Sequence, residues 1–429
     1  MTGSCLSVRA GARGLLWLCL WLTMPLVHAE DEVPIDSGLS PAVQQWLLYA
    51  LDRNPGVSAA RAAVEAAEAR LRAASRPLYN PELDLEAEQA ETRTGTLGLS
   101  QTIDWSDKRE ARTQVAAREL EAAKAEHAER RRQVAGELLR GLARYHTAVR
   151  LDRLSQQRVD LMRRFLALAE KRHAAGDLSK VELELARLAF TQVRLERSQA
   201  AGRLAEAEQS LLAVAGIRPP SWPALPRRLP PLGQVDPQAL ASRLPEVRRL
   251  QAEVAAARSR VGLRERERRP DPTLGIVAGQ ERAYRGSDDD RFGVVGLSLS
   301  IPLFVRNDFR AEVEAAGADL ARLEKLVQDR LQRAVSGIAT AAERYRLERA
   351  AWETWLQAGQ ESLSAQLDLL ERFWRVGELS SAEYLVQINQ TLDTRVTAQE
   401  VRGRLLEAWA DWLVESGQII ELLQMRQSR

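Results

Sequence analysis

Apolar residues recur with helical spacing over two very long stretches of the chain. In the first stretch they are separated by three and four positions, as at Val134, Leu138, Leu142 and Tyr145. This spacing is typical of coiled coils. No proline interrupts residues 106–174 or 308–375. We therefore predict two helices of about 68 residues, each about 100 Å long at 1.5 Å per residue.

An alternation of period two predicts two β-hairpins, at residues 82–104 and 273–302. In the first strand, acidic residues alternate with Leu83, Leu85 and Ala87. Strands of about 9–11 residues can cross an outer membrane when they are tilted. We expect the leucine face to contact lipid and the acidic face to line water. The acids are Glu82, Asp84, Glu86 and Glu88. Two soluble hairpins packed on helices would show the same alternation and remain the alternative.

Three aromatic residues flank the predicted hairpins. Tyr79 precedes the first hairpin, and Trp105 and Phe304 follow the first and second hairpins. All three would lie at one membrane interface, as in an aromatic girdle. Four strands cannot close a barrel, and open strand edges cannot face lipid. If the strands span a membrane, several chains must share one barrel, and three chains would supply twelve strands.

Short sequence matches in the same order indicate an internal two-fold repeat. Gly98-Leu99-Ser100 recurs as Gly296-Leu297-Ser298, and Gly176 to Ser179 recurs as Gly377 to Ser380. Each copy is predicted as a helix (41–75 or 237–268), a hairpin, a long helix, a glycine turn and a return helix. The predicted divisions are a leader at 1–29, a first repeat at 30–216, a proline-rich extended linker at 217–237, a second repeat at 238–417 and a tail at 418–429.

The N-terminus has the pattern of a secretory leader. Arg9 and Arg13 precede an apolar run, and Val27-His28-Ala29 fits a cleavage site. An uncleaved anchor is the alternative, although the run is short for a membrane span. Both cysteines, Cys5 and Cys19, lie in the leader, so we expect no disulfide in the mature chain. The formal net charge of +2 excludes a strongly basic nucleic-acid-binding protein.

Motifs that carry chemistry are nearly absent. His127, His146 and His173 lie 19 and 27 residues apart on one predicted helix, too far to share a metal within one chain. Asp288-Asp289-Asp290 falls in residues 280–291, which we interpret as a solvated loop between strands. We find no phosphate-binding loop and no nucleophile motif. We therefore predict no enzyme activity, no catalytic residue, no cofactor and no metal site.

The series of leader, helix, hairpin, long helix, glycine turn and return helix, repeated once, resembles the TolC-type outer-membrane efflux channels. The segment Ser300-Ile301-Pro302-Leu303-Phe304-Val305-Arg306-Asn307 and the pairs Asn80-Pro81 and Asp271-Pro272 are similar to the cobalt–zinc–cadmium (CzcC-like) branch. The resemblance implies a mainly α fold with a small β part: a homotrimer with a twelve-stranded barrel in outer-membrane lipid and a coiled-coil helical tunnel in the periplasm of a Gram-negative bacterium. It also implies a periplasmic adaptor and an inner-membrane pump of the RND type.

The function implied by the resemblance is that of a passive duct in a tripartite efflux system, and its branch implies divalent heavy-metal cations as the cargo. The same channel serving drugs or other organic compounds is one alternative. A periplasmic coiled-coil scaffold without a channel is another. The hairpins discriminate between duct and scaffold, because a scaffold does not need strands that face lipid.

The resemblance assigns the two glycine turns to contact with the adaptor. The residues concerned are Gly176, Leu178, Ser179, Gly377, Leu379 and Ser380. From the residues alone, each glycine can end a helix with positive φ and each serine can cap the next helix. Capping without partner contact is the alternative. A leucine exposed at the tip of a rod has no core of its own to fill, which favours a partner.

Four charged residues in the last turns before the second tip are candidates for a gate. They are Asp368, Glu371, Arg372 and Arg375. In a closed tunnel, such charges from three chains would form a ring of salt bridges that adaptor binding breaks. Ordinary surface charges of a coiled coil are the alternative. Neutralising Asp368 and Arg372 should raise the conductance of the channel.

Overall fold

The computed structural model describes residues 39–90, 92–285, 288–358 and 360–424. The leader at 1–29, with both cysteines, lies outside these ranges. The strands are β1 (Glu82–Gln89), β2 (Thr92–Thr102), β3 (Thr273–Arg285) and β4 (Asp288–Ser300). The helices are α1 (Pro41–Arg53), α2 (Pro55–Ala74), α3 (Lys108–Ala174), α4 (Lys180–Ala215), α5 (Pro237–Arg243), α6 (Pro245–Glu267), α7 (Arg310–Ala358), α8 (Gln360–Arg375), α9 (Ser381–Glu415) and α10 (Gln418–Gln424).

The predicted single helices at 41–75 and 237–268 are wrong, because each is divided into two. Asn54 separates α1 from α2, and Leu244 separates α5 from α6. A proline follows at the first helical position in both cases, where its missing N–H costs nothing and the residue before it is driven out of the helical conformation. The Asn54 side chain also accepts hydrogen bonds from the backbone N–H of Gly56 and Val57. The division at Asn54 is therefore a capped helix start, whereas Leu244 makes no side-chain cap at the start of α6.

The long helix α3 is continuous over 67 residues, or about 100 Å. Val134, Leu138 and Leu142 are fully buried, which confirms the predicted apolar stripe. The second predicted long helix is described as α7 and α8, with residue 359 outside the described residues. Within the described part of the chain, no helix has the length and apolar character needed to cross a membrane.

The four strands form one antiparallel sheet in the order β1-β2-β3-β4. Leu85 pairs with Leu97, Leu97 with Ala278, and Ala278 with Val295. The interpretation of residues 280–291 as a loop is wrong, because β3 extends to Arg285 and β4 begins at Asp288. Charged residues at the far end of a hairpin are compatible with strand pairing when that end faces water. The side chains of residues 283–290 are outside the described set.

Buried apolar residues form separate clusters along the long helices. The middle cluster joins α1, α3, α7 and α9 around Trp409 and Tyr345, and the tip cluster joins α3, α4, α8 and α9 around Trp374 and Tyr384. The proline-rich linker at 217–237 packs against the middle cluster. Trp222 is buried in it, and the Tyr345 hydroxyl donates to the Pro230 carbonyl at 2.6 Å.

Candidate functional site: the sheet and the helical tips

One face of the sheet is apolar across all four strands and is not covered by the chain. Leu83 pairs with Leu99, Leu99 with Ile276, and Ile276 with Leu297. The exposed fractions of these side chains are 65%, 48%, 57% and 86%. Soluble proteins rarely leave such a contiguous apolar surface exposed, and a patch of this kind marks a membrane or a partner. The soluble-hairpin alternative requires helices packed on this face, and they are absent from the described residues.

The opposite face of the sheet carries the predicted acids, and small residues occupy the neighbouring positions on that face. Asp84 pairs with Gly98, and Glu86 pairs with Thr96. All four acids, Glu82 to Glu88, are exposed and lie on β1, the outermost strand. At Gly279 of β3 an added Cβ would lie only 2.3 Å from a neighbouring backbone oxygen. This position on the polar face therefore requires glycine. The acids therefore face open space at the edge of the sheet.

The aromatic residues lie at the end of the sheet where the helices begin. β1 starts just after Tyr79, while β2 ends just before Trp105 and β4 ends just before Phe304. The exposed fraction of Trp105 is 61%, and the Tyr79 hydroxyl donates to Asp271 at 2.8 Å. Phe304 packs edge-to-face on Phe309. All three lie at the same end of the sheet, as expected for an aromatic girdle. Their contact with lipid remains a prediction.

Both tips have the predicted turn chemistry. Gly176 and Gly377 each have a φ of 85°, a conformation that costs other residues free energy. Ser179 and Ser380 each form a capping box at the start of the return helix. In the first box, the hydroxyl of Ser179 accepts from the Glu182 N–H at 3.2 Å, and the Glu182 carboxylate accepts from the Ser179 N–H at 3.1 Å.

The leucines at the tips are not exposed as the sequence interpretation assumed. Leu178 is buried in the tip cluster with an exposed fraction of 7%, and Leu379 packs partly buried against the same cluster. The cluster contains stacked rings, with the centroids of Trp374 and Tyr384 4.9 Å apart. These leucines therefore have a core within their own chain. The expectation that these leucines are exposed is wrong, and contact between the tips and an adaptor stays a prediction.

Other apolar residues near the tips are exposed. On α4 they recur at steps of four, three and seven, which is the spacing of a coiled-coil stripe. They are Val181, Leu185, Leu188 and Leu195. At the second tip the exposed fraction of Val376, next to Gly377, is 71%. These side chains are therefore among those that a second protein chain can reach, and the sequence periodicity on α4 was the signal that would have identified the stripe.

The gate candidates are partly paired within their own helix. Arg375 binds Glu371 at 2.7 Å, one helical turn away. Arg372 is exposed, and the side chain of Asp368 lies outside the described side chains. The observed pair fits an ordinary surface ion pair of a helix. A ring of salt bridges between chains remains a prediction.

The three histidines lie far apart, and each has different neighbours. His146 shares a hydrogen bond with the Pro223 carbonyl at 2.7 Å, and His173 with the Leu178 carbonyl at 2.8 Å. Burial, together with Arg131 and Arg61, lowers the pKa of His127. Among the described residues no group of three or more His, Cys, Asp or Glu side chains is arranged to hold a metal ion.

Comparison with known proteins finds a matching family and several relatives. The family model described as "Outer membrane efflux protein" matches residues 46–217 and 237–411. The cobalt-zinc-cadmium resistance protein CzcC of Cupriavidus metallidurans is 28% identical over 65% of this chain and 67% of its own. The nickel-cobalt-cadmium resistance protein NccC of Alcaligenes xylosoxydans is 27% identical over 68% of each chain.

Solved structures show the same fold at low sequence identity. A membrane protein from Pseudomonas aeruginosa has a TM-score of 0.74 at 19% identity and covers 88% of this chain and 94% of its own. The outer membrane protein VceC from Vibrio cholerae has a TM-score of 0.71 at 18% identity, over 88% and 96% of the two chains. The chain therefore belongs to the outer membrane efflux protein family: it is a channel protein of the outer membrane with a periplasmic helical extension, and not an enzyme.

Proposed function

We propose that three copies of this chain assemble into one outer-membrane duct that is lined by a twelve-stranded barrel and continues as a helical tunnel. One observation carries the proposal: the sheet of four strands has two open edges, β1 and β4, and an exposed apolar face. Open backbone edges are not tolerated in lipid. Pairing β1 of one copy with β4 of the next satisfies both edges, and closure by three copies gives twelve strands.

The internal repeat is part of the same proposal. The order of helix pair, hairpin, long helix and return helix recurs between Pro41–Ala215 and Pro237–Glu415. The turns at Gly176 and Gly377 share the same φ and are followed by the same capping box. Two similar units in each of three chains would give the duct a nearly six-fold arrangement of tips.

We propose a periplasmic adaptor and an inner-membrane pump of the RND type as partners in a tripartite system. The tips end the periplasmic rod, so they are the surface that a component of the inner membrane reaches first. Their turns, from Gly176 to Ser179 and from Gly377 to Ser380, are well-defined in geometry, and Val376 offers exposed apolar area beside them. Contact between these tips and an adaptor is therefore a proposal supported by position and shape.

Divalent heavy-metal cations are the proposed cargo. The relatives CzcC and NccC carry names of resistance to cobalt, zinc, nickel and cadmium. The acids of β1 give the polar face of the sheet a negative charge, which favours cations in a water-filled barrel. The absence of a metal-binding cluster among the described residues fits a duct, because conduction requires that cargo leave easily.

The assembly is tested by extracting the full chain from outer membranes in mild detergent and measuring its mass by light scattering. A trimer that forms conducting pores in a planar bilayer is expected. A water-soluble monomer or dimer that forms no pore would refute the duct.

The cargo is tested separately, by ion selectivity and by the sensitivity of a deletion strain. Asp84→Asn with Glu86→Gln should reduce the preference of the pore for cations. The matched control, Glu65→Gln with Glu68→Gln on the exposed surface of α2, should leave it unchanged. A pore that prefers anions before mutation would contradict the role of the strand acids. Sensitivity of the deletion strain to organic compounds, with unchanged tolerance of zinc, cobalt and cadmium, would favour the organic cargo.

A further inference from the structure

A cavity of about 660 Å³ lies where α3, the proline-rich linker, α7 and α9 meet. Its charged lining is entirely basic. The five arginines are Arg150, Arg227, Arg228, Arg395 and Arg402, and no acidic side chain is among the lining residues. We call this the arginine cavity. Its volume is in the range of pockets that hold small ligands.

The arginines of this cavity have no carboxylate partners among the described residues. The Nη1 atom of Arg150 reaches only the neutral side-chain oxygen of Gln399, at 3.5 Å. Two residues from Arg402 along α9, Arg404 binds Glu348 at 3.0 Å. Other described arginines on α3, such as Arg118 and Arg164, also lack an acid partner. The cavity is distinguished because five arginines without a carboxylate partner gather around one space.

The like charges repel one another where water screens them only partly. Arg402 is half-buried, and burial together with Arg150 and Arg227 lowers its pKa to about 10. Burial, then Arg153 and Arg227, lowers the pKa of Arg150 in the same way. Cations that are destabilised by burial and by one another are stabilised when an anion enters.

The remaining wall of the cavity is apolar and aromatic. Trp352 and Trp355 line it together with Leu154 and Leu356. The Arg402 guanidinium carbon lies 5.5 Å from the centre of the Trp352 ring, which fixes the orientation of that side chain by a cation–π contact. A ligand in the cavity therefore meets both guanidinium groups and aromatic side chains.

We propose that the arginine cavity binds a small organic polyanion, with at least two carboxylate or phosphate groups carried on a ring or another apolar scaffold. Arginine presents paired N–H donors that match carboxylate and phosphate oxygens. The tryptophans select against a bare inorganic anion, which offers nothing to stack. The proposal goes beyond the efflux function, because the ligand has the opposite charge to the proposed cargo and occupies a groove between segments of one chain.

Isothermal titration of the full-length, detergent-extracted protein at constant ionic strength tests the site. The probes are trimesate (an aromatic ring with three carboxylates), citrate (three carboxylates without a ring) and benzoate (a ring with one carboxylate). Trimesate should bind saturably with a Kd of about 1 mM or below. Citrate should bind more weakly, and benzoate should show no saturable binding.

Two matched substitutions on α9 separate the cavity from general charge effects. Arg402→Gln should weaken trimesate binding by about tenfold, because it removes charge-assisted hydrogen bonds. Arg404→Gln removes the same charge one half-turn away and should leave the Kd unchanged. If Arg402→Gln fails to fold, Arg150→Gln in the same cavity replaces it, with the same expected loss.

Three results would overturn the proposal. They are equal loss of binding in Arg402→Gln and Arg404→Gln, equal affinity for trimesate and citrate, and a carboxylate of a neighbouring copy seated between the arginines in a structure of the assembled protein. Because the titration does not depend on conduction or cargo, its failure leaves the efflux function untouched.

Discussion

Replacing Arg132 by methionine should destabilise the middle of the molecule strongly. The Arg132 side chain on α3 is buried and makes two hydrogen bonds of 2.8 Å to the carboxylate of Glu129. It also donates to the Val414 carbonyl at 2.7 Å and lies 3.4 Å from Glu246. Glu246 in turn binds Arg330 of α7. One guanidinium group therefore links α3, α6 and α9 through charged contacts.

The magnitude follows from what the substitution leaves behind. Burial alone would lower the pKa of Arg132, but its hydrogen bonds and charge interactions with Glu129 and Glu246 outweigh burial and raise it. Arg132→Met preserves the apolar stem but leaves the buried Glu129 carboxylate with a neutral partner, Gln133. Removing one partner of a buried ion pair costs roughly 3–5 kcal/mol. The free energy of unfolding should fall by about that amount.

A double variant separates the ion pair from packing. Glu129→Gln with Arg132→Met also removes the carboxylate that Arg132→Met leaves without its cation. The double variant should therefore be more stable than Arg132→Met alone, by about 1–3 kcal/mol. The control is Arg140→Met on the same helix, whose partner Asp411 is a quarter exposed and keeps Arg344. That control should cost about 1 kcal/mol or less.

The assay is urea unfolding of the detergent-extracted protein, followed by the helical circular dichroism signal at fixed protein concentration, since association shifts apparent stability. Two results would refute the reasoning. One is an Arg132→Met variant within 1 kcal/mol of the parent. The other is a double variant less stable than the single one.

Three further predictions concern the tips and α4. Gly377→Ala should destabilise the second tip by roughly 1 kcal/mol because its φ is 85°, whereas Gly202→Ala, in open space on α4, should stabilise its helix by roughly 0.5–1 kcal/mol; equal effects on thermal unfolding would contradict this. Hydrogen bonds from Ser179 lower the pKa of Glu182, so the capping contribution is present above the ordinary value of 4.5 and is lost as the pH falls through the lower folded-state value. The protection against hydrogen exchange at the start of α4, taken relative to the intrinsic amide rate at each pH, should fall below that pH in the parent but not in Ser179→Ala, and a parent without this fall would count against the capping box. Leu188→Asp should reduce the light-scattering mass from trimer to monomer, and an intact trimer would show that this exposed stripe is not an interface between copies.

The sequence predicts the parts of this molecule that depend on local patterns. Alternation at Leu83 and Leu85 assigned the two faces of β1 correctly, because period two fixes which side of a strand each residue occupies. The glycine and serine of each tip predicted both the turn and the cap. The division at Asn54 was missed although Pro55 was visible, because apolar spacing continued through it and proline at a first helical position resembles an ordinary helix start.

The parts that depend on contacts between distant segments were not predictable. Leu178 follows a turn and precedes a cap, which suggested exposure, but helices from both halves of the chain meet around it. The arginine cavity joins Arg150, Arg227 and Arg402, which are separated by tens to hundreds of positions. No periodicity connects them. In a chain with 61 basic residues, arginines without partners are recognisable only once the acids have been placed.

Along α3, the only buried apolar residues between Leu142 of the middle cluster and Val159 of the tip cluster are the small side chains of Ala143 and Ala148. Charged pairs occupy this interval, including Arg197 with Asp152 and Arg158 with Asp393. The tip beyond it is about 30 Å long at 1.5 Å per residue. A bend of about 10° at this interval would therefore move the end of the ~30 Å segment by about 5 Å. Such a bend rearranges ion pairs and leaves both apolar clusters intact.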